Sequence, residues 1–465
     1  MTARLRDALR TAAADVPTYP VYERALATAR RARRRSAIAT VAALVLVALT
    51  GAILPLARTP AADPGASTDA ALPDRIALPP IGTLHATDRP RLGPASVIFS
   101  GQAPRLQGWD EDGIVGVVSA DSDRYRIFSM GYEAPVGEKV ILSPDGRYIA
   151  RPGGPPDDPR VDIIDLVAGG HTRRLDSKVA DSVGTTPLAW SPDGKQLVVE
   201  DSVPTSPEGA SYRQVLSIVT LDGERWTWLT DEAQQAIFGS PVAFAPGGSR
   251  LAYQVGRTVT VADPDGRKES SFLLPAESWL AGKGAWTTDG ALTLVTRKAG
   301  TSDWSLRSVD PTTGRDTGPL PLPGVSGVTA IRLLGWGPGG SALVVAYQPE
   351  PLSPDRFDQP LEMDQRTAYP NVRRVRVLAL TPDATAPRTM MTAPEQILAV
   401  DVADNVIHSG RTRDASPPDG VGARFWFWTI LITVLITGIA AYRTREQLAL
   451  WLDDRRVKRA RRQET

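Results

Sequence analysis

Three observations in this 465-residue chain predict an all-β fold: a β-propeller of about seven four-stranded blades, flanked by two transmembrane α-helices. A short turn phrase recurs about seven times, a β-rich run follows each copy, and two long apolar segments bracket the series. A repeat on this scale decides architecture before any single residue is weighed for chemistry.

The phrase is an apolar or aromatic residue, a four-residue turn ending in Gly or Asn, then an apolar strand. Copies lie at residues 109–113, 142–146, 190–194, 244–248, 286–290 and 336–340, with a degenerate last copy ending at Asp404-Asn405. Pro in the turn presets φ, Asp can bond nearby backbone, and Gly accepts positive φ, so each phrase reads as a hairpin. A second strand pair usually follows, as in 161–166 and 171–175 around the Gly169-Gly170 turn. Four strands in roughly 40–50 residues is the period of a propeller blade.

The Ser-Pro-Asp-Gly copies at 143–146 and 191–194, with their flanking strands, resemble the TolB-like and WD-repeat-like propellers of bacterial envelope proteins, over about residues 76–410. The resemblance implies a propeller and carries no activity with it. The arginine excess, with only seven Lys among 53 basic residues, resembles the usage of high-GC actinobacteria. That second resemblance implies a domain outside a single plasma membrane.

The elements follow in chain order. Residues 1–36 form a cytoplasmic segment with a short helix over 4–14, broken by Pro17 and Pro20. Residues 37–57 carry no charge and are long enough to span a hydrocarbon core. An uncleaved anchor fits better than a signal peptide, because the basic leader is long and Pro55 disfavours cleavage after Ala57. Residues 58–75 read as a flexible stalk, 76–410 as the propeller and 411–424 as a linker.

The second span is 425–442, with aromatic residues at its ends, and 443–465 is a basic tail. Arg30, Arg31, Arg33, Arg34 and Arg35 precede the first span, and Arg443, Arg445, Arg455, Arg456 and Lys458 follow the second. The positive-inside rule then places both termini in the cytoplasm and the propeller outside, at a plasma membrane. The lipid bilayer is thus one expected partner.

Closure is expected from strands at both ends of the repeat region. Residues 81–85 and 96–99 would join 397–402 and 406–408 in one blade, leaving no open edge. Two excursions break the strand pattern, at 349–371 and 201–211, and long loops on a rigid scaffold often bind. Binding candidates are therefore Arg356, Phe357, Asp358, Met363 and Tyr369 in the first, with Glu208 and Tyr212 at the second.

No catalytic, cofactor or metal site is expected. Asp145, Asp193 and Asp289 sit in turns where a carboxylate satisfies backbone donors, and Gly follows each directly, which is not the spacing of a sialidase Asp-box. The three His (His85, His171, His408) have no metal-ligand spacing, and there is no Cys. No Gly-x-Ser-x-Gly elbow, P-loop or dinucleotide fingerprint occurs. Trp109, Trp190, Phe244, Trp286 and Trp336 follow small residues and read as packing between blades. A net charge of +1, with its basic clusters at membrane edges, gives no reason to invoke nucleic acid.

The expected function is a non-catalytic scaffold or sensor that binds an envelope protein or ligand. One alternative is a transmembrane regulator with a cytoplasmic partner. The short N-terminus is similar to that of anti-sigma-like proteins, although the His and Cys of a zinc-bearing anti-sigma domain are missing here. The other alternative is an envelope hydrolase with an unrecognised site.

Overall fold

Each Ser-Pro-Asp-Gly phrase closes on itself. The Ser143 hydroxyl donates to Asp145 Oδ1 (2.6 Å) and accepts from the Tyr148 amide (2.8 Å), while Asp145 Oδ1 also accepts from the Arg147 amide (3.0 Å). Gly146 donates back to the Ser143 carbonyl at φ 74°, a left-handed conformation that favours glycine. Ser191, Asp193 and Gly194 repeat these bonds, and Thr287 with Asp289 forms a variant. Every such turn returns the chain antiparallel to itself, which is how the phrase makes a hairpin.

The structure, a computed structural model, describes residues 70–80, 82–101, 113–130, 135–153, 158–169, 172–206, 211–230, 241–349, 372–395, 397–416, 427–440 and 442. Hairpins pair into six four-stranded antiparallel sheets, giving a six-bladed propeller. Blade 2 is Ile141–Leu142, Tyr148–Gly153, Arg160–Asp165 and Thr172–Asp176. Blade 3 is Gly184–Trp190, Gln196–Pro204, Tyr212–Thr220 and Arg225–Thr230. Blade 4 is Val242–Phe244, Leu251–Val255, Thr258–Ala262 and Lys268–Leu273. Blade 5 is Ser278–Leu280, Leu292–Arg297, Trp304–Val309 and Asp316–Pro319. Blade 6 is Ala330–Trp336, Ala342–Pro349, Val372–Leu380 and Arg388–Thr392.

Blade 1 closes the ring and corrects the expected count of seven. Its order is Ile397–Val402, Ala95–Gly101, Ile114–Ser119, Tyr125–Ser129, so one C-terminal strand joins three N-terminal ones. In blades 2 to 6 the phrase links the first strand to the second. The copy at 109–113 instead lies between the second and third strands of blade 1, so it adds no blade; residues 109–112 themselves lie outside the described residues. The copy at Asp404-Asn405 marks the one hairpin that the chain ends leave open.

Two expected members of the closing blade sit elsewhere. Residues 406–408 fall in a short helix, Asp404–Ser409, stopped by Gly410 in the left-handed region. His85 bridges Ile127 on the outer edge of blade 1, flanked by bonds from the Ala86 amide to the Ile127 carbonyl (2.8 Å) and back to Leu84. Residues 74–76 likewise pair with Thr392 at the outer edge of blade 6. Leu72–Pro73 then runs parallel to Thr412–Arg413, which fixes the last residues of the expected stalk and brings the two ends of the propeller together.

The aromatic residues pack between blades. Trp286 of blade 5 donates its indole N–H to the Ala243 carbonyl of blade 4 (3.0 Å), and Trp336 of blade 6 donates to Gly284 of blade 5 (3.0 Å). Trp190 of blade 3 stacks on Tyr148 of blade 2 at 6.3 Å. Small neighbours are needed there: a Cβ on Gly284 would lie 2.5 Å from the Gly335 backbone.

Residues 427–440 are helical and belong to a separate unit from the propeller. Among the described residues no helix is long and apolar enough to cross a membrane. The first expected span, and residues 425, 426 and 441 of the second, lie outside the described residues.

Candidate functional site

Blade inner strands converge on an axial cavity of about 110 Å³. Its polar lining is Glu138, Lys283, Arg332, Tyr347, Asp401 and Asp404, brought together from blades 1, 2, 5 and 6. Its apolar wall includes Trp190, Phe244 and Trp279.

Charges in this cavity brace the ring. Lys283 of blade 5 reaches Asp401 (3.0 Å) and Asp404 (2.8 Å) on blade 1 and donates to the Val402 carbonyl (2.6 Å). Asp401, buried in the closing strand, also accepts from the Leu142 amide of blade 2 (3.0 Å) and from the Val402 amide (3.0 Å). Arg332 of blade 6 donates to the carbonyls of Gly137 (2.9 Å) and Val400 (2.6 Å) and to the Tyr347 hydroxyl (3.3 Å). Two cations therefore tie blades 5 and 6 to blades 1 and 2 across the axis.

Burial alone would lower the Lys283 pKa, but Asp401 and Asp404 outweigh it and hold the ammonium above its usual range. Glu138 goes the other way. Burial pushes its carboxyl up to about 7, against the pull of Arg332 and Lys139. Its amide donates to the Pro135 carbonyl, but its carboxylate makes no hydrogen bond or ion pair among the described residues, so it is the uncommitted charge of the cavity.

Tyr212, the one loop candidate among the described residues, does not line this cavity. It opens a blade 3 strand opposite Pro204 and is exposed. Of the excursion expected at 201–211, the described residues 201–206 and 211 continue the hairpin instead, with the Thr205 amide donating to the Ser211 carbonyl. Asp201 lies within its strand, accepting from Thr185 (2.6 Å) and Ser182 (3.0 Å), and burial raises its pKa against those hydroxyl bonds. Glu208, Arg356, Phe357, Asp358, Met363 and Tyr369 lie outside the described residues, as does His171. His85 bonds Thr87, and among the described residues no three His, Cys, Asp or Glu are grouped to hold a metal.

Sequence reasoning missed the axial residues. The usable signal was a charge interrupting an apolar strand: Arg332 in Ala330–Trp336 and Asp401 in Ile397–Val402. A charge in such a run needs a partner from elsewhere in the fold.

No family model matches the chain, and no curated protein matches it. Among solved structures it is similar to TolB from Acinetobacter baumannii, at 14% identity and a TM-score of 0.37, over 64% of this chain and 67% of that one. It is similar to a putative TolB from Agrobacterium tumefaciens at 13% identity and a TM-score of 0.37, over 66% of this chain and 98% of that one. A puromycin hydrolase is similar at 19% identity and a TM-score of 0.39, over 69% of this chain and 57% of the hydrolase. The propeller assignment rests on the strand pairing described above.

Proposed function

We propose that this chain is a non-catalytic, membrane-anchored propeller that binds a protein or another envelope ligand, as a scaffold or sensor outside the plasma membrane with both termini inside. The observation that carries the reading is how the polar groups are committed. The carboxylates of the repeated turns hold their own backbone, and the axial cations hold carbonyls and carboxylates of other blades. Apart from Glu138, whose carboxylate is left uncommitted, such groups build a rigid frame for binding rather than a poised acid, base or nucleophile.

The 427–440 helix supports anchoring. Phe427, Trp428, Leu431, Leu435 and Ile439 are exposed on it, and the hydroxyls of Thr433 and Thr437 donate to the carbonyls four residues back (2.7 Å each). A helix apolar on several faces, with its hydroxyls satisfied internally, suits hydrocarbon.

The chain has no Cys, which makes a labelling test clean. Single Thr385→Cys, Thr2→Cys and Thr465→Cys variants would be treated in intact host cells with an impermeant maleimide. Labelling of Thr385→Cys in intact cells, with both termini labelled only after permeabilisation, is the expected result. The reverse pattern overturns the topology. Proximity labelling from both sides then tests the role: neighbours found only by an outer tag fit a scaffold, and a regulator found only by an inner tag replaces it with a signalling role.

A further inference from the structure

We propose that the axial cavity binds a small organic ammonium, a primary amine on an apolar or aromatic body, with the Glu138 carboxylate as counter-ion. The inference deepens the binding role above and rests on it.

Charge balance points to a cation. Glu138, Asp401 and Asp404 face Lys283 and Arg332, which leaves one net negative charge when all are ionised. Lys283 is held by both aspartates, and Arg332 is held by two carbonyls and Tyr347. Neither is free to pair closely with Glu138. Burial raises the Glu138 carboxyl to about 7, and the pull of Arg332 and Lys139 does not offset that desolvation. A bound anion would meet that carboxylate in a desolvated site, which is unfavourable.

The walls narrow the class further. Trp190, Phe244 and Trp279 line the same cavity, and aromatic rings attract cations when water is excluded. Among the described residues no acidic group of three is arranged for a metal ion, so an organic cation fits better than a bare one. A volume of about 110 Å³ equals about four waters at ~30 Å³ each, so the ligand is small, no larger than a single substituted ring.

The test is calorimetric titration of the full chain in an uncharged detergent with three probes of one shape: benzylamine, benzyl alcohol and benzoate. Benzylamine should bind one to one and the other two at least tenfold more weakly. Its affinity should rise about tenfold from pH 6 to pH 8 as Glu138 ionises, because the amine stays protonated throughout. Glu138→Gln should weaken benzylamine about tenfold or more and abolish the pH dependence. Equal or tighter binding of the alcohol or the acid, no saturable binding of benzylamine at millimolar concentration, or an unchanged Glu138→Gln affinity each overturns the inference. Should Glu138→Gln fail to fold by circular dichroism, the wild-type pH series decides alone. Lost amine binding with the maleimide pattern intact removes this site and leaves the anchored propeller standing.

Discussion

The same tetrapeptide, Ser-Pro-Asp-Gly, builds the first hairpin of blade 2 and of blade 3, yet the two copies have different duties. Their internal bonds match, from hydroxyl to carboxylate to backbone amide. Around 191–194 the space beside Gly194 is open. Around 143–146 the turn is pressed against the closing blade: Ala95 donates to the Gly146 carbonyl (2.8 Å) and Asn405 to the Pro144 carbonyl (2.9 Å). A Cβ on Gly146 would lie 2.1 Å from the Ala95 carbonyl oxygen. One copy makes a hairpin, and the other also seals the ring. Sequence local to the turn sets the hairpin, whereas closure depends on what meets it from the far end of the chain.

The largest effect should come from the axial brace behind that seal. Asp401→Ala leaves Lys283 with one carboxylate and the Leu142 amide without its acceptor. It should cost about 3–5 kcal/mol in denaturant unfolding, as for other broken buried pairs. A loss under about 1 kcal/mol would mean that the brace is decorative.

Next come the paired glycines. Gly194→Ala should cost about 1–2 kcal/mol, from left-handed backbone alone. Gly146→Ala should cost about 1–3 kcal/mol more, because the backbone of blade 1 must shift. Equal losses would erase the distinction between the two turns. By contrast, Asp145→Ala and Asp193→Ala should lose similar amounts, about 1 kcal/mol each, since both carboxylates serve the same local bonds.

Turn chemistry, hairpins and interblade Trp packing were legible because each is written in a few adjacent residues. The blade count was not, because residues 109–113 carry the same local signal as true first hairpins while linking different strands. The axial cluster was hidden for a related reason. Glu138, Lys283, Arg332 and Asp401 meet only after four blades have formed, and no short spacing encodes that meeting. The buried Asp201 was read as part of a loop because Pro204 and the residues after it look like a break, although the hairpin carries on to Tyr212.

A smaller effect concerns pH. Glu138 is raised in the folded state, from an ordinary value of 4.5 to about 7. Its contribution to stability is therefore fully present below pH 4.5 and is lost as pH rises through 7. Glu138→Gln should remove that decline, so unfolding midpoints of the variant gain on wild type between pH 5 and pH 8. Asp193 works in the opposite sense: burial would raise it, but bonds from Ser191 and the Lys195 amide outweigh burial and lower it. Its contribution is lost as pH falls below the usual carboxylate range.

Hydrogen exchange by mass spectrometry on the full chain tests most directly whether closure depends on the axial brace. In wild type, amides of the closing strand Ile397–Val402 should be protected as strongly as those of Gln196–Pro204 in blade 3. In Asp401→Ala the closing strand should exchange much faster while blade 3 keeps its protection. Unchanged protection of Ile397–Val402 in the variant, or an equal loss in both strands, would contradict the account.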